Sequence, residues 1–377
     1  VLLTISACVD ANQQEVEAFC TPLLARVDTF MASFEGRVWD EERYGGTAVV
    51  AGVADLRGGM NGFDGSDVGA SHHQRFAFFM TLIQYDEDIN PIPYLAESWE
   101  VSEDQTELTF HHRDDVHWHD GTPTTAYDVE FTFLRASDPA TNFDNASFFQ
   151  YYRPGNEGVE VLDSLTVRFH LAQPHMDFMD PWRNVVIMPR HLLAEVPPGD
   201  LAQHPFGTVG PVGNGPFRFD SYEPGSQWVF GANPAFPESL GGRPYLDRYV
   251  FRVIPEAPTL LAELQVGNVD VYIALFPHYA SQVRGDSLIR LVAFQNRNVF
   301  FAAWNARNPK LSDARVRTAM TLATHRQRIL EGIRGDLGYV VNTGVPPTHW
   351  AYDPSLSEYF GHDPDQAREL LSQAGWE

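Results

Sequence analysis

The sequence predicts an α/β protein that contains more than one sheet and more than one domain. Short apolar runs that are typical of strands alternate with helical patterns along the whole chain, and such mixing is typical of α/β folds. The 377 residues exceed the usual size of a single core, and 44% of them are hydrophobic, which provides for several cores. The sequence has no repeat with a period of about 20 to 50 residues, which excludes a solenoid or a propeller.

The first half of the chain predicts a buried strand, a helix, a strand pair, a second helix and a second strand pair. The strands are apolar runs bounded by glycine or polar turns, and the helices carry apolar residues three and four positions apart. Thr124 or Thr125 is the predicted N-cap of the second helix, with Asp128 in its first turns. In chain order the segments are a strand at 47–55, a helix at 72–86, strands at 96–113 with a turn at 102–105, a helix at 124–137, and strands at 158–172 with a turn at 163–164.

The second half predicts a hairpin, three strands and three helices by the same criteria. One long helix begins at an Asp313 cap, and the last helix stops at Gly375. In chain order the segments are a hairpin at 213–233, a strand at 248–255, a helix from 257 that ends at Gly267 and is followed by a strand to 275, a strand at 297–305, and helices at 313–333 and 363–377.

The composition argues against several function classes. Lys plus Arg number 26 and Asp plus Glu number 50, and the formal net charge of −24 repels nucleic acid and anionic lipid. The single lysine, Lys310, lies in NPKLSD and lacks the glycines that precede the lysine of a phosphate-binding loop, which argues against ATP hydrolysis. Cys8 and Cys20 are too few for a disulfide framework or a cysteine-based zinc site, although one Cys8–Cys20 bridge stays open.

The N-terminal residues predict an exported protein that is tethered by lipid. The chain opens with VLLTISAC, an apolar run that ends in small residues and Cys8, as at the cleavage site of a secretory signal. The stretch 5–8 resembles a bacterial lipobox, whose cysteine becomes the lipid-modified first residue; the alternative is a hydrophobic N-terminus with a buried Cys8. Helical spacing over 12–35 predicts a stalk helix, kinked or restarted at Pro22, that packs on the following domain or, as the alternative, self-associates.

A histidine-rich segment at 111–123, HHRDDVHWHDGTP, raises the question of a metal site. Strand alternation places His117 and His119 on one face, opposite Trp118, and the Asp120-Gly121 pair predicts a turn. His117 and His119 could touch a metal together, but no carboxylate or cysteine is spaced to complete four ligands. We therefore expect solvent-facing histidines with a structural role and no metal.

Two other motifs lack the context that their chemistry needs. RGDSL at 284–288 contains the nucleophile block of a hydrolase family, but it does not follow the first strand of a doubly wound sheet, so a surface turn is expected. The glycines of GTVGPVGNGP at 207–216 are not followed by a helix and a dinucleotide-binding acid, so this segment is expected to be a loop and hairpin.

The segment 94–133, YLAESWEVSEDQTELTFHHRDDVHWHDGTPTTAYDVEFTF, resembles the signature region of solute-binding protein family 5. These proteins are the extracytoplasmic receptors of ABC importers for peptides, dipeptides and nickel. One departure is His325, where the family usually carries Asp. The resemblance runs from about Thr47 to the last residue, with further blocks in the same order at 213–219, 242–271, 311–333 and ARELLSQAGW.

The resemblance implies a two-lobed fold of the periplasmic-binding-protein type (type II), with an extra domain inserted in lobe one. It implies a receptor that captures a peptide-like solute and delivers it to a membrane permease. It further implies a monomer in the periplasm or on the outer face of the cytoplasmic membrane, without enzyme activity, cofactor or nucleic-acid partner. The expected ranges are 1–44 for signal remnant, lipobox and stalk, 45–74 and 186–299 for lobe one, 75–185 for the extra domain, and 300–377 for the start of an incomplete lobe two.

Three alternatives to a peptide receptor stay open at this point. In the first, the protein is a receptor of the same family for nickel or another non-peptide solute. In the second, it is an exported GDSL-type hydrolase. In the third, it is a lipoprotein that senses or scaffolds. In the family, charged groups beyond the AGW block pair with peptide termini. The resemblance carries over, block by block, the ligand contacts Arg57, Gly58, Gly59, Met60, Asn61, Phe148 in the loop 143–148, Tyr272, Ile273, Ala274, Phe301, Ala303, Trp304 and Asn305.

Overall fold

The computed structural model describes residues 25–33, 43–64, 67–86, 90–176, 178–293, 299–342, 344–345, 347, 352–356 and 361–376. Contacts within the chain divide it into two units, Val1–Ile273 and Ala274–Glu377, which we call the first and the second unit.

The described strands all lie in the first unit, and the described helices are spread over both. The strands are β1 (Thr47–Gly52), β2 (Ile83–Tyr85), β3 (Pro91–Pro93), β4 (Ala96–Val101), β5 (Glu107–His112), β6 (Val159–Asp163), β7 (Thr166–His170), β8 (Phe217–Glu223), β9 (Gln227–Ala232), β10 (Arg248–Val253) and β11 (Val271–Tyr272).

The helices are α1 (described over 25–32), α2 (Val68–His73), α3 (Ala126–Ser137), α4 (Pro181–Asn184), α5 (Arg190–Leu193), α6 (Phe206–Val209), α7 (Ala257–Gln265), α8 (Ala280–Val283), α9 (Ala314–Ala323), α10 (Arg326–Arg334) and α11 (Pro364–Gln373). A π-helical turn (Gln74–Phe78) follows α2, and short 3-10 turns lie at Pro139–Thr141, Ala146–Phe149, Gly155–Glu157, Pro198–Asp200, Glu238–Leu240, Pro277–Tyr279, Pro309–Leu311 and Pro354–Leu356.

A five-stranded sheet with the order β11-β1-β10-β9-β8 organises one part of the first unit. β1 is parallel to both neighbours, with Val49 opposite Val250 and Val50 opposite Val271. β9 and β8 continue the sheet as the antiparallel hairpin that the sequence predicts at 213–233. The strands predicted at 47–55 and 248–255 are confirmed. All five strands lie inside the ranges 45–74 and 186–299, and the assignment of those ranges to one lobe stays a prediction.

A four-stranded antiparallel sheet with the order β4-β5-β7-β6 lies inside the range 75–185. Both predicted strand pairs and their turns are confirmed. The helix α3 contacts β6 and β7 and begins as predicted, because Thr125 forms a reciprocal capping box with Asp128. β2 and β3 form a separate two-stranded sheet.

One continuous core joins the two larger sheets, and aromatic rings fill much of it. On the four-stranded sheet, the ring centroids of Phe169 and Trp182 lie 4.1 Å apart, and those of Phe133 and Phe169 lie 5.3 Å apart. Phe230 of the five-stranded sheet belongs to the same cluster, and its ring centroid lies 6.1 Å from that of Phe78. Such rings bury a large apolar area in offset or edge-to-face arrangements, which stabilises the first unit as a whole.

The helix predicted at 72–86 is correct only in its first half. After α2 and the π-helical turn the backbone becomes extended at Phe79, and β2 follows. All six residues of the run FFMTLI, which are apolar except for Thr81, are buried, so burial is not limited to one helical face. The backbone N–H of Met80 donates to Asn214 Oδ1 at 2.8 Å. At Met80, a hydrogen bond to a residue far along the chain therefore replaces the hydrogen bond within the helix that local propensity favours.

The second unit contains two further departures from the sequence-based expectation. Its described residues include no strand, so the strand predicted at 297–305 is wrong over 299–305. A strand there would need a neighbouring strand for its backbone groups, and none is described in this unit.

The helix predicted at 313–333 is divided into α9 and α10 at Thr324. The Asp313 cap is confirmed, because its carboxylate accepts the Arg315 N–H at 2.8 Å. The division arises because the carbonyl of Leu322 accepts the N–H of Asp363 at 3.0 Å and therefore does not continue the helix. Nδ1 of His325 then accepts the Arg328 N–H at 3.3 Å and starts α10.

The helix α1 packs on the turn that closes the histidine-rich segment. Arg26 pairs with Asp120 at 2.8 Å, and Phe30 lies against Gly121. Burial raises the pKa of Asp120, but hydrogen bonds from His191 and Thr122 outweigh it and lower the pKa to about 2. The packing of the stalk helix on its domain is therefore confirmed for 25–32, while Cys8, Cys20 and Pro22 lie outside the described residues.

His119 is buried, so the expectation that it faces solvent is wrong. Nδ1 of His119 accepts the Gly213 N–H at 3.1 Å, and its Nε2 donates to the Gly215 carbonyl at 3.0 Å. The segment 213–215 covers this ring, whereas His117 is partly exposed. The role of His119 is structural: it joins the turn at Asp120-Gly121, where Gly121 has a φ of +86°, to the start of the hairpin.

We expect His119→Gln to lower the free energy of unfolding and to weaken its dependence on pH. Burial lowers the pKa of His119 to about 4, below the value of about 6.5 in an unfolded chain. The unfolded chain therefore binds the proton first, and stability is complete above about pH 6.5 and decreases as the pH falls toward 4. We expect a loss of about 1 to 3 kcal/mol at neutral pH, because Gln pairs with fewer of the backbone groups.

Between about pH 7.5 and 5, the free energy of unfolding of the same variant should decrease by about 2 kcal/mol less than that of the wild type. Urea unfolding followed by tryptophan fluorescence at both pH values measures the two effects. His117→Gln is the control and should leave both unchanged. An unaltered pH dependence in His119→Gln would contradict the role of the buried ring.

Candidate functional site

The carboxyl ends of β1, β10 and β11 meet at one edge of the five-stranded sheet, because the three strands are parallel. In open α/β sheets, ligands bind outside the carboxyl ends of the parallel strands. The segments that follow these strands are 53–61 after β1, 254–256 after β10, and Ile273 after β11. This edge is the candidate site of the first unit.

The backbone that continues β1 has free hydrogen-bonding groups. Ile254 N–H donates to the Gly52 carbonyl at 2.9 Å, and beyond that point the pairing with β10 ends. Among the described residues, no hydrogen bond uses the amide N–H or carbonyl groups of Val53, Ala54, Arg57 or Gly58. Backbone groups need partners, so this stretch offers donors and acceptors to water or to a bound chain.

Asp55 fixes the first half of this loop. Its carboxylate accepts hydrogen bonds from the indole Nε1 of Trp228 at 2.8 Å, the Tyr222 hydroxyl at 2.8 Å, and the amides of Gly225 at 2.9 Å and Leu56 at 2.8 Å. Burial raises the pKa of Asp55, but these donors outweigh it and the pKa is lowered. The β8–β9 hairpin thereby holds the backbone that leaves β1.

Two glycines shape the second half of the loop. Gly58 and Gly59 have φ values of +72° and +58°, a conformation that glycine adopts without steric cost. A Cβ on Gly59 would lie 2.3 Å from the Gly207 carbonyl oxygen and 2.7 Å from the Trp228 ring. Glycine is therefore required at position 59 by its conformation and by the close approach of α6.

Buried side-chain amides hold the inner side of the loop. Nε2 of Gln74 donates to the carbonyls of Gly59 at 2.8 Å and Asn61 at 3.1 Å. The Asn61 amide donates to the carbonyl of Leu201 at 2.7 Å, and the Met60 N–H donates to that of Gly207 at 2.7 Å. The predicted ligand residues Gly59, Met60 and Asn61 are thus buried parts of the frame, and a solute contact by them stays a prediction.

Arg57 and Ala54 are exposed in this loop, and Ile273 lies beside the loop at the neighbouring strand end. Ile273 donates its N–H to the Ala51 carbonyl at 3.1 Å and has a side chain that is 42% exposed. Tyr272 precedes it, paired with Ala51 in the sheet, and Ala274 follows with a φ of +57°. The structure therefore brings the loop after β1 and the end of β11 together.

The sequence matches the model of a known protein family. The family model of the bacterial extracellular solute-binding proteins, family 5 Middle, matches residues 90–377.

The chain belongs to the bacterial extracellular solute-binding proteins of family 5.

Two of its curated relatives are named for different solutes. The dipeptide-binding protein of Escherichia coli (strain K12) is 31% identical over 302 residues, which cover 76% of this chain and 55% of that protein. Heme-binding protein A of Haemophilus influenzae is 30% identical over 336 residues, which cover 83% of this chain and 58% of that protein. This chain therefore spans about half the length of the curated relatives that it matches.

A solved family 5 structure has the same fold. The oligopeptide-binding protein AppA from Bacillus subtilis, in complex with a nonapeptide, has a TM-score of 0.78 and 26% identity, covering 89% of this chain and 65% of that chain. The predicted α/β fold of the type II periplasmic binding proteins is confirmed. No helix in the described part of the chain has both the length and the apolar character to cross a membrane.

Phe148, another predicted ligand residue of this family 5 chain, is separate from the strand ends. It belongs to the 3-10 turn Ala146–Phe149, which contacts α3 beside the four-stranded sheet. Its side chain is partly buried and packs against the core. Its contact with a solute stays a prediction.

The predicted residues of the second unit lie together in the segment before α9. Phe301 is 82% exposed, and Ala303 and Asn305 are exposed as well. Trp304 is partly buried, and its indole Nε1 lies 3.5 Å from Thr321 Oγ1 on α9. Phe301 therefore does not belong to a described core, and ligand contacts by these four residues stay predictions.

The RGDSL motif forms an exposed turn after α8, as predicted. Asp286 accepts the Leu288 N–H at 2.9 Å, and the Ser287 side chain is exposed. The segment 207–216 begins with one turn of α6 and then forms the loop before β8, so it is a loop and hairpin apart from that turn.

Sequence reasoning missed Asp55 and Gln74, which hold the loop together with Asn61. The predicted strand 47–55 includes Asp55 as its last residue, although an acid just after a buried strand is a signal for a turn or site. Gln74 carries no such signal, because its buried position depends on the π-helical turn and on the fold of 59–61.

We expect Asp55→Asn to destabilise the first unit. The amide group of Asn would face donors such as the Trp228 indole, so the free energy of unfolding should fall by about 2 kcal/mol. Because the folded pKa of Asp55 is lowered, the contribution of the wild-type carboxylate is present above about pH 4 and is lost below it. Urea unfolding at neutral pH measures the difference. Asp114→Asn, at an exposed carboxylate, is the control and should leave the free energy of unfolding unchanged. Equal stability of both variants would contradict the role of Asp55.

Proposed function

We propose that this family 5 chain is part of an extracytoplasmic receptor that captures a peptide-like solute and delivers it to the permease of an ABC importer. The observation that carries the proposal is that, among the described residues, the backbone groups of Val53, Ala54, Arg57 and Gly58 have no hydrogen-bond partner, in the loop that follows β1 at the sheet edge where ligands bind. The dipeptide-binding and oligopeptide-binding relatives support the same solute class.

A peptide fits a free strand end because it carries the complementary backbone groups. A solute chain that pairs with the free groups of this loop would be held through amide N–H and carbonyl groups, which gives affinity with little side-chain selectivity. A macrocycle or a metal complex has no such repeat of donors and acceptors. This is the physical reason for preferring a peptide to the heme or nickel that other family 5 proteins bind.

The proposal needs no covalent chemistry. In it, the range 45–74 with 186–299 is one lobe, 75–185 an inserted domain and 300–377 part of a second lobe. Solute binding favours a closed state that the permease recognises, and the equilibrium moves by the difference in affinity between the two states. Ile273 on one lobe and Phe301 and Trp304 on the other are proposed to contact the solute, with Phe148 at one end. The receptor acts as a monomer.

Native mass spectrometry of the complete gene product, purified from its own host, tests the proposal. We expect peptides bound at one per protein, released on denaturation and identified by fragmentation. The control is the same protein after unfolding and refolding in peptide-free buffer, which should be empty and should regain peptide from a mixture. A retained heme, metal complex or sugar in place of peptides would refute the peptide class.

We propose also that Cys8 is lipid-modified and tethers the receptor to the outer face of the cytoplasmic membrane. The VLLTISAC stretch supports this proposal. We expect Cys8→Ser to move the protein from the membrane fraction to the soluble exported fraction, as measured by fractionation and immunoblotting. Cys20→Ser is the matched control and should stay in the membrane fraction. Unchanged fractionation of Cys8→Ser would contradict the anchor.

A further inference from the structure

Arg57 differs from almost every other arginine in the first unit. The described arginines of this unit, apart from Arg57 and Arg153, have a hydrogen bond, an ion pair or a ring contact. They are Arg26, Arg43, Arg75, Arg113, Arg135, Arg168, Arg183, Arg190, Arg218, Arg243, Arg248 and Arg252.

The neighbouring carboxylates do not neutralise Arg57. Asp55, two residues earlier, is occupied by its own donors from the β8–β9 hairpin and from Leu56. Asp64 lies against Gly58, with no ion pair to Arg57. In a chain with 26 basic and 50 acidic residues, a guanidinium that stays unpaired between two carboxylates calls for an explanation.

The backbone beneath Arg57 is fixed in advance. Gln74 and Asn61 hold the loop through buried amides, and Gly59 packs against Gly207 with no room for a Cβ. A group presented on a rigid frame loses less conformational entropy on binding than one on a mobile loop. The backbone next to Arg57 is therefore held at the strand end, and the exposed side chain extends from this fixed position.

We propose that Arg57 anchors a carboxylate of the solute and makes the receptor selective for solutes that carry one. The inference rests on the proposed function, since it concerns the same strand end. A guanidinium binds a carboxylate through two parallel N–H donors. Because the protein is strongly acidic, the carboxylate of a solute is repelled at long range and needs such a local cation. The carboxylate is either the C-terminus of a peptide or an acidic side chain.

Four tripeptides separate these two sources in the complete gene product. Ala-Ala-Ala with a free C-terminus is compared with its C-terminal amide, and amidated Ala-Glu-Ala is compared with amidated Ala-Gln-Ala. Calorimetric titration gives each Kd for the wild type, Arg57→Gln, Arg57→Lys and Arg153→Gln. Arg153 is the matched control, since it is also exposed and unpaired but lies beside the four-stranded sheet, after the 3-10 turn Ala146–Phe149.

We expect the wild type to prefer the carboxylate member of one pair. Arg57→Gln should weaken that peptide by about tenfold to a hundredfold and abolish the preference, since a hydrogen bond between charged groups is lost. Arg57→Lys should retain part of the preference, and Arg153→Gln should match the wild type. An unchanged preference in Arg57→Gln, with peptide binding intact, would overturn the anchor and leave the receptor function standing.

Failure of the proposed function has a different outcome. If the wild type binds none of the four tripeptides, native mass spectrometry decides whether the peptide class is wrong, and the anchor is judged on the solute that it finds on the protein. A retained solute with a carboxylate that is lost in Arg57→Gln and kept in Arg153→Gln supports the anchor. A retained solute without a carboxylate, or equal retention by both variants, overturns it.

Discussion

The parallel pairing of β1 with both β10 and β11 is the constraint on which the first unit depends. Parallel neighbours cannot be joined by a tight hairpin. After the first strand ends, the chain must therefore return to the end of the sheet where that strand began before the second strand can start. Between β1 and β10 it forms the whole four-stranded sheet and the β8–β9 hairpin, and between β10 and β11 it forms α7. The same pairing gathers three carboxyl ends at one edge and creates the place where a ligand can bind.

The sequence predicts the local parts of this arrangement well and the distant parts poorly. The strand pairs at 96–113, 158–172 and 213–233, and the Thr125–Asp128 cap of α3, depend on neighbours within a few residues, and all are confirmed. The end of the helical pattern at Phe79 and the break at Thr324 depend on Asn214 and Asp363, which lie far along the chain. Local propensity carries no information about such partners, so these two predictions exceed the true helices.

The candidate site divides in the same way. Its position after β1 could be predicted from a family resemblance, but the separation into an exposed Arg57 and buried Gly59, Met60 and Asn61 could not. That separation arises because Gln74 and the carbonyls at 201–202 take up the inner side of the loop. His119 illustrates the same limit, since only the packed segment 213–215 turns a strand histidine inward.

The polar groups at the strand end therefore have two separate tasks. Asp55, Gln74 and Asn61 are satisfied within the protein, and because a buried unpaired group is costly, each holds the loop firmly in one conformation. The backbone groups of Val53, Ala54, Arg57 and Gly58 and the guanidinium of Arg57 have no partner among the described residues. A free strand end favours any extended amide chain, whereas a single fixed cation favours one charge at one position. In the proposed receptor, affinity would come from the first and selectivity from the second, because only the second distinguishes a solute that carries a carboxylate from one that does not.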